Sequence, residues 1–497
     1  MNMKLKFTYI LLAVTLLSTS CKKDLLDTNP TTAVAESEIY KTTTGVETVV
    51  NGTWGYLNDT YFTYANPGYT AILRTSDAMG SDVAVTTKYG YRDAYTFTEL
   101  YDNTTYRNRS FWTLLYKVIN NANNVIAKVD GAEGSVQDKD RLKGQAKVLR
   151  AFAYLNLASF YQFSYQKDKT ALTVPIYTEP TTIETEGQPR ATLEQLYTLI
   201  LSDLKDSETL LANYSRPKKY KINENVVQGL LARTYLQTGE WKLAAAAAEK
   251  ARQGFDLMAP AKYEEGFNSL DNSEWIWGHQ QTNEQNTASY TFHYLDVSSP
   301  GSYYYSYMAD PYFKALFDTN DIRYRLFEWD PLEGREGFLR YKKFKLTANL
   351  IGDIVYMRAA EMYLIEAEGY ARSGEEGKAI AALNTLRTAR SAKLFNSTEG
   401  KDLIAEILIE RRKELWGEGF SLSDIIRTQG KVARKLFIDD TGKPIQVQIT
   451  KEDGSTKTVN GQGHRTVKFP NGTDFVANSP YYLFAIPFEE LDKNPNL

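Results

Sequence analysis

The chain has 497 residues, a formal net charge of −3 and a single cysteine. That length can bury a large apolar core without disulfides. The mild acidity, with 24% charged residues, leaves no electrostatic footprint for nucleic acid. Tyrosine is the compositional outlier, with 35 residues, many of them clustered outside any amphipathic pattern.

At the N-terminus, Lys4 and Lys6 precede an apolar run, Phe7–Leu17, and then the small residues Ser18, Thr19 and Ser20. Positive, apolar and small segments in that order read as an export signal, residues 1–20. The run is 11 residues long, too short to cross ~30 Å of hydrocarbon as a helix, so it targets the chain and does not anchor it. It ends in "LSTSC", which resembles a bacterial lipobox, where the cysteine becomes the first mature residue and carries lipid. The alternatives are an ordinary signal with a chance cysteine, or a nucleophilic Cys21. A nucleophile needs a base and an orienting group around it, whereas "KKDLLDTNPTT" reads as a flexible tether over residues 21–35. Removing residues 1–20 takes two lysines and moves the charge to −5. Residues 36–497 are expected to form a single domain with no further membrane-spanning run.

Most of that body reads as helix. "FWTLLYKVINNANNVIAKV" (Phe111–Val129) puts Leu114, Leu115, Val118, Ala122, Val125 and Ile126 on one stripe. The same pattern recurs in Arg141–Phe163 and Thr192–Leu211, and Thr192 with Gln195 has the spacing of a capping box. Two later segments are similar to each other. Ala232, Tyr235, Gly239, Ala244 and Ala251 recur 135 positions on as Ala367, Tyr370, Gly374, Ala379 and Leu386. The spacing matches the helix–turn–helix of a tetratricopeptide repeat, with small residues for close approach and glycine for the turn. Such a hairpin needs neighbours to cover its apolar stripe.

Between and before these hairpins lie long loop-rich insertions, around residues 53–107 and 255–352, rich in Thr, Tyr, Trp, Gly and Asn. A third irregular stretch, Ile438–Tyr482, contains a predicted β-hairpin around "DGST". The fold class is therefore mostly α: a tetratricopeptide-like helical-hairpin scaffold with loop-rich insertions and a few short strands. Long loops on a rigid scaffold are where binding residues concentrate.

The lipobox-like start, "RAFAYLNLASFYQF" with "VPIY", "ERRKELWGEGFSLSDIIR" and the ending "YYLFAIPFEELDKNPNL" together resemble the SusD/RagB family of outer-membrane nutrient-uptake lipoproteins. The resemblance spans essentially the whole chain in the expected order. It implies capture of an oligosaccharide, or in some branches a peptide, and delivery to a SusC-like TonB-dependent outer-membrane barrel. It implies no catalysis and no cofactor. The protein would face the extracellular side of the outer membrane, held only by lipid on Cys21.

Sugar binding without chemistry uses aromatic rings for the C–H face of a pyranose and polar groups for its hydroxyls. The two tyrosine-rich loops supply both, and in the family ligand-stacking aromatics come from these regions. The candidates are Tyr89, Tyr91, Arg92, Tyr101 and Asn103 in the first loop, and Tyr290, Tyr294, Tyr303, Tyr304 and Tyr305 in the second. For any single tyrosine, half-buried packing is the stronger reading, and Trp54, Trp112, Trp275 and Trp277 are assigned to the core. An enzyme reading finds no carboxylate pair set off by a motif. Glu410 and Glu414 sit on one helix face, where Arg411 or Lys413 would pair with them. His279, His293 and His464 lack metal-ligand spacing and no EF-hand-like run appears, so no metal site is assigned, a calcium bound on a loop being the alternative left open. A plain helical-repeat adaptor for another protein would show tandem repeats, which the long insertion interrupts.

Overall fold

The computed structural model describes residues 36–59, 66–86, 90–298 and 302–497. The signal peptide, the tether with Cys21, and Tyr89 lie outside the described residues.

Long helices dominate: α1 (Thr43–Asp59), α2 (Tyr69–Ala78), α3 (Tyr106–Lys128), α4 (Val136–Phe160) and α5 (Leu193–Leu210), then α6 (Glu224–Thr238), α7 (Trp241–Ala251), α8 (Ala359–Arg372), α9 (Glu376–Ala389) and α10 (Leu403–Leu415). Helix α3 buries the predicted stripe of Leu114, Leu115, Val118, Ala122 and Val125. It starts a turn earlier than periodicity suggested, because the extended Thr105 forms its N-cap. Helix α5 carries the predicted capping box: Thr192 Oγ1 accepts from the Gln195 amide, and the Gln195 side chain accepts from the Thr192 amide. The reciprocal pair satisfies two backbone donors that a helix start leaves open.

The similar segments form two helical hairpins, α6–α7 and α8–α9. Their turns hold Gly239 and Gly374 at φ +83° and +80°, a left-handed conformation that costs glycine nothing. Although separated in sequence, the hairpins stack directly. A Cβ on Gly369 of α8 would sit 2.5 Å from the Trp241 carbonyl oxygen of α7 and 3.1 Å from Ala245 Cβ. The residues between the hairpins therefore leave the scaffold and return to the same place.

That insertion contributes most of the strands. With β1 (Val83–Val85), β2 (Trp275–His279), β3 (Tyr307–Ala309), β4 (Phe327–Trp329), β5 (Leu339–Tyr341) and β6 (Ile354–Arg358), it builds two antiparallel sheets, one ordered β1-β3-β5-β4 and one pairing β2 with β6. Trp275 and Trp277 of β2 are fully buried, and Trp54 and Trp112 are buried as well. Trp54 stacks on Trp277 at 4.7 Å between centroids. The predicted hairpin near the C-terminus is present as β7 (Gln446–Thr450) and β8 (Thr456–Asn460).

Two sequence expectations need correction. Residues 53–107 are not uniformly irregular: they contain the end of α1, all of α2, and β1. Helix α2 is buried on nearly every side, polar residues Thr70, Arg74, Thr75, Ser76 and Asp77 included, and with 10 residues between loops it is short. The second correction concerns Glu410 and Glu414. They do not form simple surface pairs along their own helix. Arg323 donates to Glu410 (2.6 Å) and Glu414 (2.7 Å), Arg387 to Glu410 (2.9 Å), and Arg358 and Arg390 to Glu414 (2.6 and 2.9 Å). Lys413 lies 3.7 Å from Glu410, while Arg411 pairs with Asp424. Glu274, at the foot of β2, joins the same network through Arg358 and Arg390, and Lys343 joins through Glu418. Buried charges survive only when paired and hydrogen-bonded. Here the pairing also ties the tyrosine-rich insertion to α10 of the scaffold.

Candidate ligand-binding site

Two segments meet at the candidate site, the turn at Gly90–Tyr95 and the stretch Thr287–Tyr307. Thr287–Thr291 and Phe292–Leu295 are consecutive helical turns. The returning chain then wraps around His293. The His293 carbonyl accepts from Ser302 Oγ (2.9 Å) and from the Tyr304 and Tyr305 amides (3.1 Å each). The Tyr303 amide donates to His293 Nδ1 at 3.3 Å.

Tyr305 sits at φ +44°, an uncommon conformation for a bulky residue, and the three consecutive tyrosine rings take three directions. Tyr303 lies outward and flat on His293, with centroids 4.3 Å apart and planes 23° from parallel; it is 60% exposed. Tyr304 turns inward onto Tyr294 at 4.8 Å and 20°, and its hydroxyl is 2.8 Å from that of Tyr290. Tyr305 lies under the Arg335 guanidinium, 3.9 Å from the ring centroid.

Behind this surface is a buried support. Tyr294 and Tyr91 are fully buried and meet edge to face at 4.9 Å. Arg107 covers Tyr91 at 4.3 Å, pairs with Glu99 at 3.1 Å, and donates to the Gly90 carbonyl. Gly90 has φ +99°, and a Cβ there would lie 2.7 Å from Tyr294 Cε1, so only glycine lets this turn close on the ring. Burial pushes the Tyr91 hydroxyl up to about 12 and the Tyr294 hydroxyl higher still. Burial also depresses the His293 imidazole, so a neutral ring lies under Tyr303.

Of the residues predicted from sequence, Tyr290, Tyr303 and Tyr304 come together around His293, while Tyr305 turns away to Arg335. Tyr91 and Tyr294 belong to the same cluster but present no surface to a ligand; they are its foundation. Arg92 is exposed where the turn leaves Tyr91. Tyr101 and Asn103 have a different neighbourhood. Tyr101, 52% exposed, tilts against Tyr481 at 4.8 Å, and the Asn103 carbonyl accepts from the Phe488 amide. Sequence reasoning missed His293, Arg107 and Arg335, because a histidine without metal spacing and an arginine in a helix carry no local signal of stacking.

The arrangement offers one exposed ring, Tyr303, rigidly backed by His293, with the half-buried Tyr290 and Tyr304 and their hydroxyls beside it. That combination provides apolar contact area at small entropic cost together with donors and acceptors for a polyhydroxylated molecule. Among the described residues, no group of three or more His, Cys, Asp or Glu could hold a metal ion, and no helix is long and apolar enough to cross a membrane.

The fold is a mostly α scaffold that carries this aromatic cluster on its insertions. Comparison with known proteins identifies the family. A SusD-like family described as starch-binding and associating with the outer membrane matches residues 24–236, and the SusD family matches residues 272–497. The crystal structure of a SusD-like carbohydrate-binding protein from Bacteroides vulgatus is 44% identical, with a TM-score of 0.86, covering 92% of this chain and 97% of the other. SusD-like protein P38 of Formosa agariphila is 25% identical over 65% of this chain and 72% of its own length. A laminarin-binding SusD-like protein shares the fold, with a TM-score of 0.64 at 20% identity over 78% of this chain and 92% of that one. The chain belongs to the SusD family, whose members are carbohydrate-binding proteins.

Proposed function

We propose that this protein is a cell-surface lipoprotein that captures an oligosaccharide on the tyrosine surface and delivers it to a SusC-like TonB-dependent transporter. The observation that carries the binding half is Tyr303: a large ring, mostly exposed, yet held flat by His293 beneath it and by a wrapped backbone. An exposed aromatic ring adds only modestly to the fold by stacking on one imidazole. It gains affinity for a flat ligand, because its orientation is fixed before the ligand arrives. The hydroxyls of Tyr290 and Tyr304 lie beside it, and Arg92 extends from the adjoining turn.

Lipid on Cys21 would hold the chain at the outer membrane, with residues 21–35 as slack and residues 36–497 as one binding domain. Calorimetry with a panel of plant, host and microbial glycans tests the ligand class; binding of peptides with silence across all glycans would overturn it. Co-purification of a large outer-membrane barrel from gently solubilised native membranes tests the partner.

A further inference from the structure

A second cavity, whose lining includes none of the site tyrosines, has a volume of 840 Å³, within the roughly 300–1,000 Å³ of ordinary ligand sites. One wall is a face of α1 that presents Thr48, Asn51, Gly52, Gly55 and Tyr56, spaced three and four apart. Tyr220 and Lys221 form another wall, and the loop after β2 closes it with Gln280, Thr282 and Gln285.

The two glycines are the unusual feature. Glycine is the least favourable helix-interior residue after proline, and a helix normally keeps one where a neighbour needs the space. Neither Gly52 nor Gly55 has such a neighbour: a Cβ at either position would meet nothing within 4 Å. Both face the cavity, where their missing side chains leave the α1 backbone open to close approach.

The charge of the cavity disfavours anionic ligands. Lys221 Nζ is already engaged, 3.1 Å from Glu47 Oε1 and 2.7 Å from Asn51 Oδ1, which leaves no free cation for an anion among the described lining residues. What remains is mostly amide, hydroxyl and phenol, from Gln280, Gln285, Thr282, Tyr56 and Tyr220, beside the neutral His279 imidazole and one carboxylate, Glu284. That set recognises a neutral polyhydroxylated molecule. We infer that this cleft is a second binding site for a neutral oligosaccharide, with the bare Gly52–Gly55 face admitting a sugar ring against the helix. The inference rests on the carbohydrate reading of the protein. The same Gln280–Thr287 loop leads directly into the Thr287–Thr291 turn that carries Tyr290, so the cleft and the tyrosine surface flank one segment.

The test is calorimetry on the full chain in detergent, with maltoheptaose, laminarihexaose, cellohexaose and xylohexaose as probes. The variants are Gly52→Leu/Gly55→Leu, which fills the cleft, and Tyr303→Ala, which removes the aromatic face. Gly52→Ala/Gly55→Ala serves as a folding control and should melt no lower than the wild type, since the added methyls meet no neighbour. The leucine pair should weaken binding of the preferred probe at least fivefold, in the wild-type or the Tyr303→Ala background. Gln280→Ala/Gln285→Ala, which leaves α1 untouched, should weaken it in parallel. Binding unchanged by both pairs in both backgrounds overturns the cleft and leaves the tyrosine surface standing. Binding lost in the leucine pair but intact in Tyr303→Ala supports the cleft and overturns the tyrosine surface. Silence of the wild-type chain to every oligosaccharide overturns both.

Discussion

Tyr303 rests on His293 with ring centroids 4.3 Å apart, and the backbone amide of Tyr303 donates to the same imidazole at Nδ1. One histidine thus supports the exposed ring from below and fixes the chain that carries it. Burial keeps this imidazole neutral by lowering its proton affinity, which leaves Nδ1 free to accept.

Tyr303→Ala should therefore separate binding from folding. Its ring is mostly solvent-exposed, so the thermal midpoint should move little, while glycan affinity should fall at least tenfold. Calorimetry beside a thermal melt checks both. A variant that melts well below the wild type would show that Tyr303 is packing.

Tyr294→Ala should give the opposite separation. Its ring is fully buried between Tyr91 and Tyr304, and truncating a large buried aromatic costs about 3–5 kcal/mol. Chemical denaturation should show that loss. Replacing Tyr303, Tyr304 and Tyr305 together would be hard to interpret, since Tyr304 is tied into the same buried stack.

These two tyrosines show what the sequence could and could not convey. Tyr294 and Tyr303 lie nine positions apart in one tyrosine-rich stretch, and nothing local separates them. Their fates diverge because Tyr91, about two hundred residues earlier and itself covered by Arg107, closes over Tyr294 and not over Tyr303. Features set by nearest neighbours were legible: the Thr192–Gln195 cap, the glycine turns at 239 and 374, the α3 stripe and the β7–β8 hairpin. The stacking of α7 on α8 was not, because a long insertion separates them in sequence. The ionic core was hidden for a similar reason. Glu274, Arg323, Arg358, Arg390 and Glu414 lie far apart along the chain, and each alone reads as a solvated charge.

That core should be sensitive to loss of one member. Glu414 receives Arg323, Arg358 and Arg390, all buried. Glu414→Gln leaves those guanidinium groups without their shared anion, and breaking a buried pair typically costs about 3–5 kcal/mol. Urea unfolding should report a loss of that order. Because the network ties the insertion to α10, protease cleavage should increase first within residues 255–352.

The buried titratable groups predict an unusual pH profile. Burial alone would raise the Glu410 carboxyl, but Arg323, Lys413 and Arg387 outweigh it and hold it at about 2. Glu368 is likewise held at about 2 by Arg427, Arg372 and Arg411 against its burial, and Glu414 is lowered further by its three arginines. Each lowered carboxylate adds stability that is complete above its unfolded value of 4.5 and is lost as pH falls toward 2. Buried His279 and His464, depressed to about 4 and about 3, stabilise above 6.5 and lose that contribution on acidification. Asp77 and Asp310 oppose them: burial raises them to about 6 and about 7, so they gain as pH falls from there toward 3.8. Between pH 7 and 4.5 the two histidines and two aspartates largely offset each other, and the carboxylates have not yet titrated. Below 4.5 the glutamates protonate in the unfolded chain while their folded counterparts stay ionised, so the stability that they add is lost, and the aspartates gain no further below 3.8. Urea midpoints should therefore stay nearly level from pH 7 to 4.5 and fall steeply at pH 3.5. A decline as steep above pH 4.5 as below it would mean that the ionic core does not govern acid stability.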